Sequence, residues 1–451
     1  MQIISPASEA VLKILKQFKS SGETCRLLHY CTEQAVEDGV LLFNLLTREL
    51  LLLTEAEYAN MTELAELKDH WFMVPEDTNE KEYADLVKWV LSTRQKKTKN
   101  ITGYTIFPTT DCNARCFYCF ELGRSRIPMN EETARSTARY IQAHCGGEAV
   151  SIRWFGGEPL FNRQAIDTIC NSLRNNHVDY KSTMVSNGYL FDAETVANAV
   201  KDWNLRHVQI TLDGTEPVYN KTKAFIYKDG SAYQRVLSNI GLLLDAGVIV
   251  QIRLNMDLYN AENLLKLVEE LSDRFAGRKG LHVYAHHIFD GNKPMAGMYT
   301  AEEWEKRDAA LRRLEDTIFT CGLAGKGGIS KKPRLNFCMA DSGRSVTVLP
   351  GGNIGLCEHY SESEFIGHIE REGLDQAVVN SWKERIPEIP ECADCFYYPD
   401  CIQLKKCASG SVCFHQMRQE LLRKTRRQMK NEYDKWRSNA QTEEEDESVD
   451  C

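Results

Sequence analysis

The chain has 451 residues, 43% hydrophobic and 26% charged, with a formal net charge of −9. That length predicts two or three domains. No apolar run approaches the roughly 18 residues of a membrane span, which excludes a membrane protein, and a net negative chain without a basic tract excludes nucleic acid as the main partner, since phosphate binding concentrates Lys and Arg.

Sixteen cysteines are too many to be small apolar filler. With no secretory segment in Met1–Lys19, the reading is a cytoplasmic protein whose thiols bind metal rather than pair as disulfides.

In chain order, residues 1–95 read as a small module of their own. Leu27–Tyr30 and Val40–Phe43 are apolar runs flanking the turn Glu37-Asp38-Gly39, as in a hairpin, and helical patterns follow over Leu64–Trp71 and Tyr83–Leu91. The polar stretch Arg94–Asn100 reads as a linker. Across 101–300 short apolar runs alternate with helical stretches, the pattern of a parallel sheet with crossover helices. Strands are predicted at Tyr104–Pro108, Ala149–Phe155, Ser182–Ser186, His207–Leu212, Ile249–Asn255 and Leu281–His287, and helices at Glu131–His144, Gln164–Asn175, Ala193–Asp202, Ala232–Ala246 and Ala261–Phe275. Residues 301–337 form a helical bridge around Glu302–Phe319. The segment 338–415, rich in Cys, Gly, Pro and aromatics, has little apolar periodicity and is expected to be organised by metal ligation. In 416–451 a basic amphipathic helix, Gln416–Trp436, with Arg423–Arg427 on a solvated face, precedes an acidic tail, Thr442–Cys451, expected to be disordered.

Directly after the first barrel strand, Asp111-Cys112-Asn113-Ala114-Arg115-Cys116-Phe117-Tyr118-Cys119 places three thiols in one loop. Three cysteines can ligate three corners of a four-iron cluster and leave the fourth iron open, at the strand ends where β/α barrels collect their ligands. A zinc site is the alternative, and it lacks a nearby fourth ligand. At the next strand end, Gly156-Gly157-Glu158-Pro159 offers two glycines for close backbone approach and a carboxylate suited to an ammonium. Ser186 with Asn187, Asp213, and Arg253 with Asn255 put polar residues at later strand ends, where turn chemistry is the plain alternative. A second constellation comprises Cys338, Cys357, Cys392, Cys395, Cys401, Cys407 and Cys413; a zinc ribbon accounts for Cys392 and Cys395 alone. Cys25, Cys31, Cys145 and Cys170 fit no cluster spacing and read as packing residues, and Cys451 sits on the tail.

The Cys-x-x-x-Cys-x-aromatic-Cys loop, together with Gly156-Gly157-Glu158-Pro159, resembles the radical S-adenosylmethionine (SAM) superfamily. The resemblance implies a [4Fe-4S] cluster on Cys112, Cys116 and Cys119, its open iron chelated by the amino and carboxyl groups of SAM. It implies a SAM pocket drawn from Tyr118, Gly156, Gly157, Glu158, Pro159, Ser186, Asn187, Asp213 and Arg253. The C-terminal cysteines resemble the SPASM domain of peptide-modifying relatives, which implies two auxiliary [4Fe-4S] clusters. Cys392, Cys395, Cys401 and Cys413 would hold one, and Cys338, Cys357 and Cys407 three corners of the other, with Cys321 or an open iron at the fourth. Five residues between Cys401 and Cys407, where the pattern usually has three, leave the division among Cys401, Cys407 and Cys413 open. Glu358 occupies the position where sulfatase-maturing relatives place an Asp that takes a substrate proton; an ordinary exposed Glu is the alternative.

Residues 1–95 resemble, less specifically, a winged-helix module that docks a leader peptide as an added strand; a structural cap on the barrel is the alternative. The implied chain is α/β: a partial (β/α)6 TIM-like barrel, a small N-terminal winged-helix-like module and a C-terminal Cys-rich iron–sulfur domain. The implied function is a peptide maturase that abstracts hydrogen from a ribosomally made precursor and installs an oxidative modification, foremost a thioether cross-link, with formylglycine formation in a sulfatase or epimerisation as alternatives. Its partners would be a leader-bearing precursor peptide and a flavodoxin or ferredoxin. The rival class is a non-catalytic iron–sulfur or zinc scaffold, against which the Gly-Gly-Glu-Pro segment weighs.

Overall fold

The computed structural model describes residues 1–16, 24–94, 100–275, 277–288, 299–336, 338–359, 364–402, 404–407, 413 and 415–449. The N-terminal strands are β1 (Gln2–Ser5), β2 (Cys25–Leu27), β3 (Cys31–Val36), β4 (Gly39–Asn44), β5 (Glu49–Leu53) and β6 (Met73–Pro75). Four of them form an antiparallel sheet in the order β1-β5-β4-β3, and β2 pairs with β6. The expected hairpin turn exists, with Val36 paired to Gly39. Its first strand is not the run Leu27–Tyr30 but the polar β3, because Leu28 and Tyr30 are spent in the core as a turn. Of the helical pattern Leu64–Trp71 only Glu66–Asp69 is α-helical, and Trp71, at φ 62°, ends it. Tyr83–Leu91 lies within the helix Glu80–Arg94. Most of the linker, 95–99, lies outside the described residues.

The barrel strands are β7 (Gly103–Thr109), β8 (Val150–Gly156), β9 (Tyr180–Ser186), β10 (Leu205–Leu212), β11 (Ile249–Met256) and β12 (Leu281–His287). They pair in parallel and in chain order, as the alternation of strands and helices predicts. Alternate residues such as Ile152, Trp154, Ile210, Ile252 and Leu254 are fully buried under the helices. The intervening positions are polar because the inner face is a lumen rather than a packed core. The sheet stays open, with β12 at one edge, which makes the barrel partial.

At the other edge the Cys-rich region adds β13 (Ser345–Val348) in parallel to β7, followed by β14 (Asn353–Gly355) and β15 (Gly367–His368) in antiparallel. That region is therefore an extension of the barrel sheet as well as a ligand-rich loop.

Two expectations change at the C-terminus. The last helix runs His415–Val449, through most of the acidic stretch expected to be disordered, since Glu-rich sequence is a good helix former; Asp450 and Cys451 lie outside the described residues. Its basic stretch is no solvated face. Arg423 pairs with Asp308 at 2.6 Å, Arg427 with Asp316 at 3.4 Å, and Arg426 Nε donates to the Glu33 carbonyl of β3 at 2.9 Å. Nor does the N-terminal module close its own core. Ile329, Tyr398, Met429 and Tyr433 pack with Leu41, Phe43, Leu50 and Leu52, Arg48 forms a buried ion pair with Asp400, and Lys88 Nζ donates to the Tyr398 carbonyl at 2.7 Å.

Candidate active site

The loop after β7 is shaped by short side chains that turn back on it. Thr110 Oγ1 donates to the Ser125 carbonyl at 2.6 Å, Thr109 Oγ1 accepts from the Asp111 amide at 2.9 Å, and Asp111 Oδ1 accepts from the Cys112 amide at 2.7 Å. The end of β8 closes on this loop. Gly157 N donates to Thr109 O and Glu158 N to Asp111 O. A Cβ at Gly156 would lie 2.3 Å from Thr109 O and one at Gly157 2.1 Å from Asp111 O. Glycine is required here so that one backbone can seat the other.

The result is a cavity of about 410 Å³ at the mouth of the barrel. Of the residues singled out in the sequence, Cys112, Cys116, Tyr118, Cys119, Gly156, Gly157, Ser186, Asn187, Arg253 and Glu358 line it. Glu358 arrives from the Cys-rich region, just past β14. Glu158 and Asp213 are fully buried, and neither they nor Pro159 form the wall. The Glu158 carboxylate accepts from Ser186 Oγ at 2.9 Å and from the Asn187 amide at 2.8 Å, fixing the end of β9; burial lifts its carboxyl to about 7. Asp213 accepts from Tyr118 Oη at 2.8 Å and Asn255 Nδ2 at 3.0 Å and pairs with Lys223 Nζ at 3.0 Å. Lys223, which the sequence reading missed, lies on the helix Glu216–Lys223 and also donates to Thr211 and Tyr118. Its only sequence signal is a cation three strand ends on from the cysteines.

Burial pushes the Cys112 thiol up to about 12, and raises Cys116 with the neighbouring Lys223 opposing. Metal loading therefore expels protons from these thiols. The chemistry of the donor set fits a four-iron cluster with one open corner: three thiols and no fourth cysteine line the cavity, and the Ala114 amide donates to Cys112 Sγ at 3.3 Å. Arg253 Nε is buried there without a hydrogen-bond partner, a cation suited to an anionic ligand group such as a carboxylate. Among the described residues no group of three or more His, Cys, Asp or Glu is gathered tightly enough for a single metal ion.

The C-terminal cysteines separate into two sets. Cys392, Cys395, Cys401 and Cys413 all line one cavity of about 770 Å³, whose wall includes Lys88 and Trp89 of the N-terminal helix Glu80–Arg94. Burial raises the Cys338 and Cys357 thiols, and the neighbouring Cys407 and Glu358 add to it. The Ala340 amide donates to Cys338 Sγ at 3.3 Å and the His359 amide to Cys357 Sγ at 3.4 Å, the contact seen at Cys112. Cys321 instead caps the helix Ala301–Thr320, its carbonyl accepting from Ser272 Oγ at 3.5 Å.

Comparison with known proteins places this geometry. Residues 106–273 match the Radical SAM superfamily. A probable GTP 3′,8-cyclase of Archaeoglobus fulgidus is 26% identical over 297 residues, 64% of this chain and 96% of that protein. Another, of Methanococcus maripaludis, is 28% identical over 123 residues, and the chain spans only 40% of its length. Among solved structures, native anSMEcpe with bound AdoMet superposes with a TM-score of 0.55 at 15% identity, covering 75% of this chain and 99% of that one. The same protein with bound AdoMet and Cp18Cys peptide gives 0.53 at 14% identity, with the same coverage of each chain. These likenesses share the fold, and the family match coincides with the cavity that gathers Cys112, Cys116 and Cys119: residues 106–273 of this chain form a radical SAM domain.

Proposed function

We propose that this enzyme is a peptide maturase with two auxiliary iron–sulfur clusters in its C-terminal region, and that it installs an oxidative modification, foremost a thioether cross-link. The observation that carries the reading is Glu358: a carboxylate beside Cys357, from the Cys-rich region, lines the same cavity as Cys112, Cys116 and Cys119. When bound, SAM and the clusters supply radical hydrogen abstraction and one-electron transfer.

The chain's residues have the following parts. Cys112, Cys116 and Cys119 hold the SAM-binding cluster; Cys392, Cys395, Cys401 and Cys413 hold one auxiliary cluster, and Cys338, Cys357 and Cys407 three corners of the other. Ser186, Asn187 and Arg253 orient SAM, while Glu158 and Asp213 act from behind the wall by fixing Ser186 and Tyr118. A thioether removes two hydrogens from the peptide: one would leave as an atom to the SAM-derived radical, one as a thiol proton for which Glu358 is the acceptor, and the electron left over would pass to an auxiliary cluster held by the C-terminal cysteines. The solved neighbour with bound peptide supports a peptide substrate, and this reading requires a leader-bearing precursor and a flavodoxin- or ferredoxin-type donor. A nucleotide substrate is the second reading, favoured by the likeness to probable GTP 3′,8-cyclases.

The test is anaerobic incubation of the iron-loaded chain with SAM, reductant and cysteine-containing precursor peptides, followed by peptide mass. Loss of two hydrogens, dependent on SAM, is the expected result. An unchanged mass with altered stereochemistry moves the reading to epimerisation, and turnover of GTP with every peptide untouched overturns it.

A further inference from the structure

Below the cysteine loop, the lumen is built from cations and neutral donors. The strand register sets this: Arg153 of β8 is paired with Thr183 of β9, and Thr183 with His207 of β10. One tier higher, Gln209 is paired with Gln251, and Gln251 with His282 of β12. Arg153, His207, Gln209 and Gln251 all line the cavity that holds the three cysteines. None of the six barrel strands contains an Asp or Glu, and the carboxylate on the cavity wall is Glu358 at its mouth.

Arg153 makes no ion pair and no hydrogen bond among the described residues, and Arg253 Nε is buried without a hydrogen-bond partner. Burial, with Arg153 and His282 adding to it, holds His207 below its ordinary range, so the cations in this space repel one another. Arg153 is solvent-accessible in this lumen and Arg253 partly buried, so the space is positively charged with no carboxylate on its strands to offset it. SAM accounts for one cation only: Arg253 sits near the end of β11, where a SAM carboxylate is expected, whereas Arg153 lies three strands away across the lumen and lower on β8.

We propose that the lower lumen seats an anionic group of the substrate, a carboxylate or a phosphate, with Arg153 as its cation and His207 and Gln251 as neutral donors. This deepens the maturase reading by naming the chemistry its substrate presents: on a peptide the group is an acidic side chain or a terminal carboxylate.

The test is calorimetric titration of the iron-loaded full chain, saturated with SAM, with a capped Ala-Ala-Glu-Ala-Ala peptide and with GTP, each beside its neutral counterpart (the Gln peptide, guanosine). One charged probe should bind about tenfold or more tightly than its neutral counterpart. Arg153→Gln should erase that preference, Arg153→Lys should keep part of it, and Gln251→Leu serves as a second probe of the seat if Arg153→Gln lowers the melting temperature. Preference for the Glu peptide supports both the seat and the maturase reading. Preference for GTP alone supports the seat and removes the maturase reading. No charge preference in either pair, or a preference untouched by Arg153→Gln and Gln251→Leu, overturns the seat and leaves the peptide mass test to judge the rest.

Discussion

The two large cysteine cavities are built in opposite ways. Around Cys112, Cys116 and Cys119 the scaffold is regular: strand ends, two glycines that let β8 close on the loop, and a buried Asp213–Lys223 pair under Tyr118. Around Cys392, Cys395, Cys401 and Cys413 the thiols sit on short 3-10 turns and loops, and part of the wall is borrowed from the helix Glu80–Arg94. Tyr398 ties that border, its hydroxyl donating to Asp85 at 2.8 Å and its ring stacking on Tyr30. The first site is thus held by secondary structure that forms without a ligand. The second rests on loops and on packing between distant parts of the chain.

The sharpest way to break this comparison is to remove each set of thiols. Replacing Cys112, Cys116 and Cys119 by Ala should abolish SAM cleavage and lower iron from about 12 to about 8 per chain, with the melting temperature nearly unchanged. On the proposed reading, replacing Cys392, Cys395, Cys401 and Cys413 should cost the same iron and also lower the melting temperature by several degrees, because a cluster held in loops would supply folding energy there. Equal melting temperatures for the two variants would show that both scaffolds are self-supporting.

Next in size are the buried ion pairs, one in each region. Arg48→Met leaves Asp400 buried without its cation, and Lys223→Met does the same to Asp213; the side chains of both pairs are nearly inaccessible. Each should cost about 3–5 kcal/mol in urea denaturation. Arg48→Met should loosen the four-cysteine region and spare SAM binding, whereas Lys223→Met should impair it.

Gly157→Ala sharpens the first half of the comparison. Its Cβ would meet Asp111 O at 2.1 Å, so the cysteine loop must shift. A cost of about 1–3 kcal/mol and weaker retention of the SAM-binding cluster are expected, read as iron lost on gel filtration.

The smallest effect is on pH. Burial holds His287 of β12 at about 4, below its ordinary 6.5, so the folded barrel keeps it neutral where the unfolded chain protonates it. The stability this contributes is present above about pH 6.5 and is lost as pH falls through about 4. His287→Gln should flatten the fall in melting temperature over that window, and an unchanged slope would assign the acid sensitivity elsewhere.

Much of this architecture is written locally. The six barrel strands and most of their helices fall within a residue or two of the expected bounds, because apolar periodicity and caps such as Asn130 before Glu131–His144 act over a few residues. The cysteine spacing, the Gly-Gly-Glu-Pro turn and the grouping of the C-terminal thiols are likewise sequential features. Other parts were not legible. The strand β3 is polar because only its neighbours make it a strand, and β13 is four residues whose partner, β7, lies more than two hundred positions away. Lys223 reads as one more surface cation until Asp213 and Tyr118 close around it. Arg153 and His207 look like the outward half of an alternating strand until parallel pairing turns that half into a lumen. What the sequence determined by itself is which segments form strands, helices and thiol-bearing loops, since those follow from short-range periodicity and spacing. Only the tertiary structure decided which charges face each other, which carboxylates are sealed behind the wall and that Glu358 meets the barrel mouth, because these rest on long-range pairing and desolvation.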